Sequence, residues 1–417
     1  MTNEQLNAQA RAILTGNDRG GYTVPTSGLY PYQWNWDSAF AAWGFSTFDN
    51  PRAWQELNTL FAGQWADGMV PHIIFHQNDP GYFPGPEVWG TGTTPPTSGL
   101  SQPPVAAIMA RLIWQEDKAA GLAHIKALYP KMLAWHRWWH EHRCAAGPAA
   151  VTHPWESGRD NCPDWDIGMA NVDGSGVGEY KRRDTGHVDP SMRPSKAEYD
   201  RYLAILYFGR ECGWNQKKII DDGPFLMADP GVTFILLRAH DDLAAIGREL
   251  GEDVAEIESW ATQLRAGLDM IWNDDLGAYD ARDLRTGKFA GVLGSGAFLA
   301  FLAGESRPAL DANLTRIWDA VTYGIPSSDP HAAGFAPRRY WRGPTWPVVN
   351  ALIALGLRSS GKLEEEARLR DETAALIRKH GFYEYFDPLD ATPCGGDTFT
   401  WTAAIWLTWA GREEGAS

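Results

Sequence analysis

Apolar residues recur at helical spacing along most of the chain, and this pattern predicts a protein built almost entirely of helices. Helices are expected over about 4–14, 51–64, 102–116, 119–143, 195–211, 230–251, 253–274, 307–321, 345–358, 361–380 and 398–412, with a further helical run at Asp37. The segment 361–380 is the clearest amphipathic case, with Glu and Arg alternating with Leu, Ala and Ile. In 119–143, Leu122, Ile125, Leu128, Leu133 and Trp135 are spaced to share one buried face. Other helices, such as the Ser-Ala-Phe-Ala-Ala-Trp run after Asp37 and the stretch 345–358, consist of small and aliphatic residues. Only 69–75, short and β-branched, reads as strand-like.

The alternation suggests an architecture: a small-residue inner helix introduced by an aromatic loop, then an outer amphipathic helix. Such pairs close naturally into an all-α (α/α)6 barrel, because each inner helix must be covered on its outside face, and the loops ahead of the inner helices then meet at one end. A helical solenoid is the competing architecture, but no repeat of fixed length is present. Two segments are too long to be connections alone: a Gly/Pro/Thr-rich loop at about 77–101 and a polar, Gly-rich, flexible loop at about 168–192. Loops of this kind line sites or cover them.

Composition narrows the classes. The 417 residues, 44% hydrophobic and 21% charged, are those of a globular protein, one large domain or two to three ordinary ones; the helix pairing favours a single barrel over 1–417. No apolar run reaches the roughly 18 residues of a membrane span, and no basic segment followed by an apolar one opens the chain, so a cytoplasmic setting without a membrane partner is expected. A net charge of −15 argues against nucleic acid. Cys144, Cys162, Cys212 and Cys394 match neither a metal-site spacing nor a disulfide framework and read as thiols. Asn171, Asp173, Ser175 and Gly176 echo a calcium loop, but its twelfth position is Arg182, so calcium is rejected and no metal or cofactor is expected. The outlying count is 21 Trp, beside 14 Tyr and 16 Phe. An indole face matches the C–H face of a sugar ring while its N–H still donates, so a carbohydrate site is the prior. Trp135, Trp260 and Trp272 fit ordinary core positions instead.

The candidate chemistry lies in aromatic stretches that carry carboxylates. In His153-Pro-Trp-Glu-Ser-Gly-Arg-Asp-Asn161, Glu156 and Asp160 flank a Ser-Gly break beside Trp155 and Trp165. A carboxyl held against indoles loses solvation and stays protonated towards neutral pH, as a general acid must; the bland reading is a loop whose carboxylates cap helices or pair with Arg159. Asp37 follows Tyr30, Tyr32, Trp34 and Trp36, either as a helix cap or as an acceptor for sugar hydroxyls. Further on stand Tyr340-Trp-Arg-Gly-Pro-Thr-Trp-Pro347 and Gly381-Phe-Tyr-Glu-Tyr-Phe-Asp-Pro388, the latter ahead of Phe399-Thr-Trp-Thr-Ala-Ala.

In this order these stretches resemble glycoside hydrolase family 63, and within it the short bacterial mannosylglycerate and glucosylglycerate hydrolases, over about residues 20–412. Trehalases share the Glu-Ser-Gly-x-Asp logic but also carry a Pro-Gly-Gly-Arg-Phe stretch absent here. The resemblance implies hydrolysis of an α-glycosidic bond with inversion, with Asp160 as general acid and Glu384 as general base. It places Trp34, Trp36, Asp37, Trp341 and Trp346 in the sugar pocket with Tyr340 at its border, and leaves Glu156 as rival acid or supporting group. An inverting pair needs one protonated and one ionised carboxyl roughly 6.5–9.5 Å apart, which two residues so distant in sequence reach only if the barrel closes. On the aglycone side the resemblance implies Tyr30, Tyr82, Gln102, Arg193 and Tyr199 as contacts for glycerate.

The expected substrate is thus a small, anionic α-glucoside or α-mannoside of glycerate, the choice of hexose and the exact aglycone staying open, as does a homo-oligomer. A trehalase-like or other α-glucosidase on a neutral disaccharide, or a barrel that binds sugar without turnover, are the competing readings. Arg193 is expected to supply the cation that an anionic aglycone needs against the net charge, a loop swinging its guanidinium over the pocket; otherwise it pairs at the surface with Asp189 or Glu198.

Overall fold

Several helix boundaries follow local side-chain chemistry in the computed structural model, which describes residues 1–412. Thr2 accepts from the backbone of Gln5 while the Gln5 side chain returns the bond, a capping box that starts Asn3–Asn17. Asp117 caps Lys118–Arg143, and Asp229 caps Pro230–Leu250 just ahead of Pro230, whose missing N–H costs nothing in a first turn. Each of these caps satisfies backbone donors that the helix itself leaves open.

Twelve helices form two concentric layers. The inner ones are Asn35–Ser46, Ala106–Glu116, Pro230–Leu250, the segment 295–303, Pro347–Ser359 and the segment 400–410, which begins α-helical and ends in a π-helical turn. Each packs on the next, and 400–410 packs on Asn35–Ser46, so the ring closes. The outer helices are Asn3–Asn17, Asn50–Ala62, Lys118–Arg143, Ala255–Ala266, Pro308–Trp318 and Leu363–His380, in strict alternation with the inner ones along the chain. This is the (α/α)6 barrel that the alternation predicts. Burial shows why the layers sort: every residue from Asn35 to Phe45 is buried, whereas Leu363–His380 buries one stripe through Glu366, Leu369, Thr373 and Ile377. Strands among the described residues are two residues long, paired as Gln33–Trp34 with Ile73–Ile74 and Tyr385–Phe386 with Pro393–Cys394, or joined in threes as Ala150–Val151, Met227–Ala228 and Arg282–Asp283. No helix of the described residues is long and apolar enough to cross a membrane.

Several expectations shift. The inner segment 295–303 falls where the pattern announces no helix: it is short and buried on all sides, so it carries no polar stripe to give periodicity. Gln216–Asp222 is likewise an unannounced short helix. The run expected over 253–274 ends at Ala266 and turns through Leu268–Ile271 into a strand, Trp272–Asn273. Helix formation after Gln102 begins only at Ala106. Leu122 is 40% exposed, because the buried stripe of Lys118–Arg143 passes through Gly121, which lies against Trp114 and Trp54, and then Ile125 and Leu128.

The tightest joint of the ring lies between Pro347–Ser359 and 295–303. A Cβ on Gly356 would come within 2.5 Å of the Phe301 carbonyl oxygen and nearer still to its carbon and to the Leu302 nitrogen, all backbone atoms with no rotamer to yield. Gly356→Ala is therefore expected to destabilise the protein by at least the roughly 1–3 kcal/mol typical of overpacking. Gly16→Ala, in a helix and with nothing within 4 Å, is the control and should be neutral or stabilising by up to about 1 kcal/mol. Equal melting temperatures for the two variants would refute the close-approach argument.

Candidate active site

Segments that precede the inner helices converge on one cleft, with about 950 Å³ free of protein atoms including its open mouth. Tyr30, Trp34, Trp36, Asp37, Tyr82, Gln102, Asp160, Arg193, Tyr199, Tyr340, Trp341 and Glu384 all line it. Residues from distant stretches thus meet because ring closure brings their helix ends together.

Asp37 sits in the first turn of Asn35–Ser46, one turn inside the Trp34 cap position, so it is no N-cap; it is buried and faces the cleft. Burial raises its pKa well above the carboxylate range, and Glu384 and Asp160 add to the rise. Asp160 follows Gly158, whose φ of 70° lets the chain pass where a Cβ would press on the Trp36 indole at 2.9 Å. The turn is anchored on both sides: Tyr202 donates to the Asp160 carbonyl at 2.7 Å, and Arg159 is buried between Asp229 at 2.7 Å and Asp164 at 3.4 Å. The Asp160 carboxyl, partly exposed to the cleft, is pushed up to about 7, chiefly by burial, with Glu384 and Asp184 adding and a backbone hydrogen bond and Arg193 opposing.

Glu384 is 1% exposed. It precedes the strand Tyr385–Phe386, and Gly395 opposite has φ 73°, where any Cβ would collide with the Glu384 carboxylate. Tyr30 donates to Oε1 at 3.1 Å, the Gly396 N–H donates to Oε2 at 3.1 Å, and Arg193 Nη2 lies 3.5 Å from Oε2. Burial raises its pKa, while Arg193, Gly396 and Tyr30 pull it back towards the ionised form. One carboxyl held protonated towards neutral pH and one held by donors is the asymmetry that acid and base chemistry requires.

Arg193 is buried rather than on the surface. It donates to the Tyr30 hydroxyl at 2.6 Å and lies over the Tyr340 ring at 4.4 Å; its ion-pair partners are Glu384 and Asp184, not Asp189 or Glu198. Tyr199 packs against Trp155 and carries the Arg182 guanidinium over its ring at 4.2 Å. Gln102 accepts from the Trp36 backbone at 3.2 Å, fixing its side chain beside the Trp36 indole in the cleft. Tyr340 holds a backbone φ of 34°, a left-handed strain of about 1–3 kcal/mol that such sites tolerate.

Two expected site residues do not line the cleft. Glu156 is fully buried, paired with Arg143 at 2.9 Å and accepting from Thr152; it ties the motif to the scaffold and does not reach the cavity. Trp346 lies behind Trp341, stacked at 3.7 Å with rings 1° from parallel, and rests in turn on Tyr385. Conversely, His72, Arg182, Arg183, Asp184 and Tyr202 face the cleft and escaped the sequence reading as site residues. Lys181-Arg-Arg183 was visible as a basic run, but nothing in its spacing says that it folds back over an aromatic cavity; His72 stands alone in a strand-like stretch with no signal at all.

The chain is similar to known proteins over almost its whole length. Residues 30–402 match the model of the mannosylglycerate hydrolase MGH1-like glycoside hydrolase domain. Mannosylglycerate hydrolase MGH1 of Selaginella moellendorffii is 44% identical over 96% of this chain and 84% of its own length, and the glucosylglycerate hydrolase of Mycolicibacterium hassiacum is 35% identical over 98% of each. The crystal structure of a family 63 mannosylglycerate hydrolase from Thermus thermophilus, in complex with Tris and D-glycerate, superposes with a TM-score of 0.93 at 42% identity, covering 97% of this chain and 99% of that one.

The burial of the Arg143–Glu156 pair generates a prediction about stability rather than catalysis. Removing one partner of a buried ion pair leaves the other charge uncompensated, at a cost of about 3–5 kcal/mol. Glu156→Gln should therefore lower the melting temperature markedly while protein that remains folded keeps most of its turnover. A stable Glu156→Gln protein without turnover would return Glu156 to the reacting groups.

Proposed function

Because the chain belongs to glycoside hydrolase family 63, among the mannosylglycerate hydrolase-like members, we propose that it hydrolyses a small α-hexoside of glycerate to free hexose and glycerate, with inversion. The observation that carries the reading is the pairing, in one cleft, of a carboxyl pushed up to about 7 with a second, donor-held carboxylate flanked by tyrosines and a buried arginine.

In this reading the hexose rests among Trp34, Trp36 and Trp341, with Asp37 accepting from its hydroxyls. Asp160, protonated, donates to the glycosidic oxygen as the bond breaks, so the leaving glycerate departs as a neutral alcohol at that oxygen. Glu384, ionised, takes a proton from a water that attacks the anomeric carbon from the opposite face. That attack inverts the centre and needs no covalent intermediate. Tyr30, Tyr82, Gln102, Arg193 and Tyr199 surround the aglycone, and Arg193 offers its carboxylate a planar, two-point donor. The names of the relatives cover both mannosyl and glucosyl substrates.

A screen of glucosylglycerate, mannosylglycerate, trehalose and kojibiose tests the reading, with the anomer of the first product followed by NMR. A glycerate glycoside should be the preferred substrate and should release β-hexose first. Preference for trehalose, or α-hexose appearing before mutarotation, would overturn the assignment.

Residue roles have their own check. Asp160→Asn and Glu384→Gln should each keep the fold and lose about 10²–10⁴-fold or more in turnover, the range for a positioned proton-transfer group. Because the acid must be protonated, kcat/KM should fall as pH rises through about 7. The acid limb, set by Glu384, should lie above the ordinary glutamate value. A rate that stays flat from pH 6 to 9 would remove Asp160 from the acid role.

A further inference from the structure

The aglycone end of the cleft holds more charge than a glycerate subsite needs. Arg182, Arg183 and Arg193 all face it, and so does Asp184. Arg183 is already matched by Asp79, whose two oxygens lie 2.5 and 2.8 Å from its nitrogens. Arg182 is matched by Asp184, Nε to Oδ1 at 3.0 Å and Nη2 to Oδ2 at 2.5 Å. Arg193 is divided: Nη2 serves the Tyr30 hydroxyl and approaches Glu384, while Nε points towards Asp184 Oδ2 at 3.8 Å, beyond hydrogen-bond length. That Nε is buried without a hydrogen-bond partner. Arg182 and Arg193 thus face two carboxylates, Asp184 and Glu384, and an incoming anion meets no net positive charge.

We propose that Asp184 is a specificity-determining residue: its carboxylate stands, in the ligand-free cleft, where the carboxylate of an anionic aglycone takes over the Nε edge of Arg193. Asp184 is a poor partner for that edge because Arg182 already holds both of its oxygens, which leaves Arg193 Nε unsatisfied and ready for a better acceptor. A buried donor left unpaired is costly, so an aglycone oxygen within hydrogen-bond reach relieves a deficit that a neutral aglycone without a strong acceptor relieves less well. Repulsion from Asp184 acts in the other direction and weakens retention of the released anion. The influence of Asp184 extends over the whole subsite, since its charge also raises the pKa values of Tyr30, Tyr82 and Tyr199. Its effect is therefore to temper the preference for an anion that Arg193 creates, so that the anionic product is not held tightly. This inference rests on the reading of the aglycone as glycerate.

The test compares wild type with Asp184→Asn, which keeps the shape and one acceptor for Arg182 but removes the charge. The probes are D-glycerate in calorimetric titration, the glycerate glycoside that the wild type hydrolyses, and the corresponding neutral glycerol glycoside. At an effective dielectric constant of about 20, removal of a like charge near the bound carboxylate predicts roughly tenfold tighter D-glycerate binding and a similar rise in the ratio of kcat/KM for the anionic over the neutral substrate. Unchanged or weaker D-glycerate binding, or equal losses on both glycosides, would show that Asp184 serves only the Arg182 scaffold. Should the Asn variant not fold, a crystal structure of the wild type with D-glycerate decides: the ligand carboxylate should accept from Arg193 Nε with Asp184 displaced beyond 3.8 Å, and a glycerate seated elsewhere overturns the proposal. A wild type that neither binds D-glycerate nor cleaves any glycerate glycoside overturns the functional reading and this inference with it, whereas a glycerate-binding wild type with an indifferent Asn variant overturns the inference alone.

Discussion

Closure of the inner ring is the constraint on which everything else rests. The last inner segment, 400–410, must lie directly against the first, Asn35–Ser46, and the joint is tight enough that Gly44 meets Ala404 where a Cβ would come within 2.9 Å of its backbone. An inner helix buried on all sides has no polar face to give to solvent, so only a ring of neighbours with an outer cover satisfies it. The consequence for the site is geometric. Once the ring closes, the chain segments that enter the inner helices share one end, and Asp37, Asp160 and Glu384 become neighbours across the same desolvated space.

That shared space sets the electrostatics. In water three carboxylates would simply ionise; in the cleft burial favours the neutral form of each, and the Glu384 charge adds to the effect on Asp37 and Asp160. What separates them is their donors. Glu384 has Tyr30, Gly396 and Arg193 to stabilise its charge, whereas Asp160 has no side-chain hydrogen bond among those of the described residues. Chemically similar groups therefore differ through the distribution of donors, and Arg193 is common to Glu384 and Asp184.

The tryptophans divide into two populations that composition cannot tell apart. Trp36 and Trp341 line the cleft, while Trp346, as buried as Trp341, lies behind it, and Trp135 and Trp139 lie in the core. The parallel stack of Trp346 on Trp341 shows how the two cooperate: a wall residue keeps its orientation because a second indole fills the volume behind it. Excess aromatic content thus reflects both the wall of the cleft and the packing that makes it rigid.

The sequence by itself determined the class of fold, the alternation of inner and outer helices, and the motifs that carry the chemistry. These are local properties: periodicity, caps, and runs such as Tyr30 to Asp37 or Trp155 to Asn161, which act over a few residues. It could not announce the inner helix at 295–303, since total burial erases the polar stripe that marks a helix. Nor could it say which carboxylate of Glu156 and Asp160 enters the cleft: they stand four positions apart, and only the folded turn, opened at Gly158 and tied by Arg143 and Tyr202, sends one outward and buries the other in an ion pair. The assembly of Arg182, Asp184 and Arg193 at one cleft was equally invisible, because it depends on how the 168–192 segment folds back over aromatic residues far away in sequence. Tertiary structure decided these matters for one physical reason: burial, charge pairing and donor supply are properties of a residue's spatial neighbours, and those neighbours exist only once the ring has closed.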